Sequence, residues 1–127
     1  METILKYLRI IIFSGSLFLV SHDLYAQKET EVFIPLGKSP GVSGKYSIIG
    51  KVETVNAADS TITIRQDTGM KTIKITAATE IYLDRSKQKL TNRKCSFAEC
   101  KPGLMTEAKY KDNKPESSIE WLKVQPE

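Results

Sequence analysis

Over residues 46–83 the chain reads YSIIGKVETVNAADSTITIRQDTGMKTIKITAATEIYL, and apolar and polar residues alternate through it with turn residues at regular intervals. Ile62 and Ile64 fall among Thr61, Thr63 and Arg65, and Ile73 and Ile75 among Thr72, Lys74 and Thr76. A period of two sends one row of side chains into a core and the other into water, so this stretch is a β-meander. Hairpin turns are expected at residues 56–60 and 67–69, which are rich in Asn, Asp, Ser and Gly. Gly50 interrupts the first strand, and a glycine there marks a bulge or a sharp bend. A long, bent first strand is what a small closed barrel requires.

After a short extended piece at residues 80–83 the pattern breaks. Residues 84–103, DRSKQKLTNRKCSFAECKPG, read as a long connection with one helical turn at residues 96–99, where Ser96 and Glu99 can form a capping box. Alternation returns at residues 104–110, with Leu104, Thr106, Ala108 and Tyr110 as the inner row and Met105, Glu107 and Lys109 facing away. Residues 112–115 make a turn, and residues 119–124 form a closing strand carrying Trp121. The expectation is an all-β, five- to six-stranded Greek-key barrel of OB type, with one short helix or loop between strands 3 and 4.

The framework Gly50-Lys51-Val52, residues 59–64 (DSTITI), 73–76 (IKIT) and 79–81 (TEI), then 100–103 (CKPG), 107–110 (EAKY) and 119–124 (IEWLKV), resembles an uncharacterised family of small exported bacterial proteins built as OB-like β-barrels. The resemblance covers about residues 46–125. It implies a Gram-negative envelope setting and carries no catalytic residues to transfer.

Residues 1–26 hold Lys6 and Arg9, an apolar run over residues 10–20 and a polar stretch ending in Ala26. That is the layout of a secretory signal peptide, and a run of this length falls short of the roughly 20 residues a bilayer span needs. The expected organisation is a signal peptide at 1–26, a Pro/Gly-rich arm at 27–45, and the barrel at 46–127. A periplasmic or secreted protein with no transmembrane span after cleavage follows. Removing the leader takes Lys6, Arg9, Glu2 and Asp23 together, so the net charge of +4 is unchanged, and it removes the single histidine, His22. In the arm, residues 34–36 (IPL) are expected to lie extended on the barrel.

The only two cysteines, Cys95 and Cys100, are expected to form a disulfide in an oxidising compartment. Their C-x4-C spacing is neither the redox C-x-x-C nor half of a recognisable zinc site. Two Gly-Lys pairs in the arm fail as P-loops, because Val32 and Ser39 stand where the earlier glycine belongs.

Without histidine, acid–base chemistry of the Ser-His type has no base, and no cofactor is expected. Two weaker chemistries remain. Glu107 and Glu120 are the best carboxylate pair for an enzyme, although cross-strand acids of this kind are more often solvated surface. Met70, Met105 and Trp121 offer sulfur and an aromatic cap to a soft metal such as copper or silver, but the methionines are single. The leading expectation is a non-catalytic module. Between residues 85 and 94 there are five basic residues, Arg85, Lys87, Lys89, Arg93 and Lys94, and no acid. In an exported protein that loop meets lipid headgroups and acidic glycans rather than nucleic acid. The expected partner is an envelope protein or an anionic envelope component, contacted through the loop and the arm.

Overall fold

The structure is a computed structural model that describes residues 30–127; the expected signal peptide at 1–26 and the first residues of the arm lie outside the described residues. Val32–Glu127 forms a compact unit.

Seven strands form one mixed sheet among the described residues: β1 (Ser47–Asn56), β2 (Thr61–Gln66), β3 (Gly69–Lys74), β4 (Glu80–Leu83), β5 (Arg93–Lys94), β6 (Met105–Tyr110) and β7 (Ile119–Gln125), in the order β3-β2-β1-β6-β7-β4-β5. All pairs are antiparallel except β4 with β7, which run parallel. The meander appears as β1 to β3, with turns where Asn, Asp and Gly were expected to place them. β1 pairs with β6 through its first half and with β2 through its second, the changeover falling at Lys51.

Gly50 has a different task from the one its position suggests. The register shift in β1 lies between Val52 and Thr54, so the bulge is at Glu53. At Gly50 the constraint is space: a Cβ there would lie 2.2 Å from the carbonyl oxygen of Arg65 on β2. The glycine lets the backbones of β1 and β2 approach closely at this point.

The link between β3 and β4 touches two separated strands: Ile75 N–H donates to Ser60 O at the start of β2, Thr79 N–H closes a turn on Thr76 O at 3.0 Å, and Thr79 Oγ1 donates to Ile119 O at the start of β7. In the sheet order β1 and β6 stand between β2 and β7, yet Ile62 and Ile64 of β2 are buried in one cluster with Ile81 of β4 and Val124 of β7. The sheet therefore rolls. It does not close: among the described residues β3 and β5 are its edges, and no ladder joins them. The closed barrel of five or six strands is thus corrected to an open, curled sheet of seven, because the chain turns away at Ile75 before β3 can pair further. The two-residue β5, formed within the expected connection, adds the extra edge.

The concave side holds the core. Ile48, Val52, Ile62, Ile64, Ile73, Ile81, Ala108, Leu122 and Val124 are all buried there, each aliphatic side chain contributing about 1.5–3 kcal/mol by leaving water. A short 3-10 turn, Phe97–Glu99, packs Phe97 and the neighbouring Cys95 and Cys100 against this cluster. Ser96 precedes that turn without a side-chain cap, so the capping box is not formed.

Candidate functional site

On the convex side of β6, β7 and β4 the cross-strand row is Glu107, Lys123 and Tyr82. The alternation that predicts Glu107 to face water places it on the correct side of the strand, yet it is fully buried, as is Lys123. The arm covers them. The described arm opens on a 3-10 turn, Glu31–Phe33, Lys38 N–H then bonds to Pro35 O, and a run of turns from Ser39 to Tyr46 follows, so the strip expected to lie extended at residues 34–36 is bent into turns.

Covering a sheet with turns brings unpaired backbone N–H and C=O groups into a dry space, and each needs a partner. Glu107 satisfies one backbone N–H and two hydroxyls: its Oε1 accepts from Gly37 N–H at 2.8 Å, and its Oε2 accepts from Ser43 Oγ at 2.6 Å and Ser47 Oγ at 2.7 Å. Gly37 has φ +81, which orients that N–H and is open to glycine at little cost. From the neighbouring strand Lys123 Nζ donates to Ile34 O at 3.0 Å and Ser39 Oγ at 3.3 Å, while resting 4.4 Å from the centre of the Trp121 ring. No buried side-chain polar atom among the described residues lacks a partner.

The same arm is fastened to the basic loop. Asp84, just past β4, accepts Leu36 N–H at 2.8 Å and Gln125 Nε2 at 3.2 Å through Oδ2, and Ser86 N–H at 2.7 Å through Oδ1. Burial opposes its ionisation, but the hydrogen bonds from Ser86, Leu36 and Gln125 outweigh that and hold its carboxyl below the ordinary range. Asn92 bonds the arm twice, from its backbone N–H to Val32 O and from Nδ2 to Ile34 O, both at 2.8 Å.

The five cations of the loop divide in two. Arg85 Nε is turned inward onto Thr91 O at 2.8 Å, and Lys94 pairs with Glu80 at 3.4 Å. Lys87, Lys89 and Arg93 are exposed and make no ion pair or side-chain hydrogen bond among the described residues. Lys89 sits at φ 60, ending the short 3-10 turn Ser86–Gln88.

The cysteines depart from expectation. Both are free thiols, not a disulfide, each packed against the core. Burial pushes Cys95 up to about 11 and Cys100 to about 12, with the Glu99 carboxylate adding to both. Neither is a nucleophile at neutral pH.

Met70, Met105 and Trp121 are not brought together. Met70 on β3 is exposed and is joined to Met105 on β6 only through Arg65 and Lys51 on the strands between, a separation of three strand spacings, about 14 Å along the sheet. Trp121 presents its ring to Lys123. Glu107 has both oxygens committed under the arm, and Glu120 accepts from Lys109 Nζ at 2.7 Å. No group of three or more His, Cys, Asp or Glu suited to a metal occurs among the described residues, and no helix there is long and apolar enough to cross a membrane.

Sequence reasoning missed the polar clamp of Glu107, Lys123, Asp84 and Asn92. A usable signal was present: charged residues at facing positions of two consecutive strands, beside a Gly/Ser-rich segment with no partner strand of its own. No protein family, curated protein or solved structure matches the chain.

Proposed function

We propose that the chain is a non-catalytic, exported binding module of the cell envelope that contacts an anionic envelope component through its basic loop and arm. One observation carries this reading: Asp84 and Asn92 tie arm and loop into a single preorganised surface, from which Lys87, Lys89 and Arg93 project. Fixed cations on a rigid surface lose little conformational freedom on binding a polyanion, and their field steers it. The reading also takes the curled sheet as an OB-type Greek key in which β3 and β4 are the two halves of one interrupted strand. Support comes from the parallel pairing of β4 with β7 and the position of β1 between β2 and β6, which agrees with the family resemblance carried by the strand framework.

The test is retention of the chain from Gln27 onward on anionic vesicles and on lipopolysaccharide, with and without K87S/K89S/R93S. Loss of the three charges should weaken binding by about five-fold per charge, at about 1 kcal/mol each, and added salt should weaken the parent in the same direction. Equal retention of parent and variant at low salt removes the proposal.

A further inference from the structure

Three large apolar side chains are exposed among the described residues: Phe33, Met70 and Leu90. Met70 stands on β3, at the free edge of the meander. The other two are placed at the basic loop. Phe33 lies between Val32 and Ile34, whose carbonyls are both bonded to Asn92. Leu90 precedes Asn92 by two residues, with its N–H anchored to Arg85 O at 3.2 Å. Two residues of chain reach about 7 Å, so Phe33, Leu90 and the cations Lys89 and Arg93 share one small area of surface. Phe33 is 70% exposed and Leu90 50%.

The chemistry of this area selects its occupant. Leu90 stands on a loop without acids beside Lys89 and Arg93, which make no ion pair among the described residues, and Phe33 follows a half-buried Glu31 in the arm's 3-10 turn. Apolar tips with a net excess of exposed cations match an anionic lipid surface, the cations meeting the phosphates while the tips enter the acyl boundary. A stable protein interface instead needs about 800 Å² per partner around a contiguous apolar centre, and here the two apolar groups are interrupted by charge. We propose that Phe33 and Leu90 are membrane-inserting residues, and that the anionic component bound by this protein is the phospholipid bilayer itself. This rests on the reading above and narrows it to one partner.

The experiment uses the chain from Gln27, since the apolar run at 10–20 would bind lipid on its own, and Val32–Glu127 is a compact unit by itself. Sedimentation is compared on phosphatidylglycerol/phosphatidylcholine vesicles, on phosphatidylcholine vesicles and on a heparin column as a lipid-free polyanion. Both side chains are exposed, so F33S/L90S should fold with an unchanged melting temperature. It should lose about ten-fold or more in affinity for the anionic vesicles and keep its heparin elution. K87S/K89S/R93S should lose both.

An F33S/L90S variant that sediments with anionic vesicles like the parent overturns the inference. If the charge variant still fails on heparin and vesicles, the electrostatic reading survives that loss. If neither variant changes anything, both fall. A change in oligomeric state of F33S/L90S with unaltered vesicle binding assigns the two residues to a contact between copies of the chain, and also overturns the inference. A blue shift of the added tryptophan in F33W on anionic vesicles but not on heparin is the positive signature.

Discussion

The two faces of the β6–β7 ladder are both closed to water, by opposite means. On the concave side Ala108, Leu122 and Val124 meet other aliphatic side chains of the sheet. On the convex side Glu107 and Lys123 meet the backbone and hydroxyls of the arm. Aliphatic packing is non-directional and tolerates any filling of the right volume. A buried carboxylate with three donors accepts one geometry only, since any slip leaves a charged group unsatisfied. The core therefore holds the sheet together, and the clamp decides where the arm sits on it.

That contrast can be broken at graded cost. The largest effect is expected from Gly50→Ala, whose methyl must displace the Arg65 carbonyl; a loss of about 4 kcal/mol or more, seen as failure to show a cooperative melt, is the expected outcome. Leu122→Ala, at a fully buried core position, should cost about 3 kcal/mol in urea unfolding and lower the stability of the whole unit together. Glu107→Gln should cost about 2–3 kcal/mol and act locally: trypsin should cut at Lys38 and Lys45 while the sheet remains protected in hydrogen exchange. Uniform loss of protection in Glu107→Gln would show that arm and sheet unfold as one. The smallest effect concerns acid. Because the folded state lowers the Asp84 pKa, its contribution is complete above the unfolded value of about 3.9 and is lost as pH falls through the folded value. Asp84→Asn should flatten the pH dependence of the melting temperature in that acid window, and an unaltered slope would show that Asp84 does not fasten the arm.

Local pattern was legible in the sequence and non-local pairing was not. Ile62, Ile64, Ile73 and Ile75 announce their strands, since period-two alternation is written in adjacent residues. Parallel pairing of β4 with β7 joins segments some forty positions apart, and nothing in either segment names the other. Gly50 was visible as an anomaly, but a glycine required by a crossing backbone and one that forms a bulge look the same in one dimension. Glu107 was misread because alternation gives the side of the strand, not whether something covers that side. The arm's hold on the sheet was expected from Ile34 and Leu36 as apolar side chains; in the structure the backbone groups of those residues make the bonds. Of the loop cations, composition found all five, and only coordinates separate Lys87, Lys89 and Arg93 from the engaged Arg85 and Lys94.

The placement of β7 has a consequence in time. It lies between β6 and β4, and its Lys123 also holds the arm, so three parts of the unit are joined by a segment synthesised after all of them. A growing chain can form the β1–β3 hairpins early, because their contacts are close in sequence, but the parallel ladder of β4 and the arm's bonds to Lys123 cannot form until Ile119–Gln125 has emerged. Completion of the sheet is thereby deferred until β7 has been made, and a chain without β7 would carry β6 as an open sheet edge and an arm lacking its bonds to Lys123.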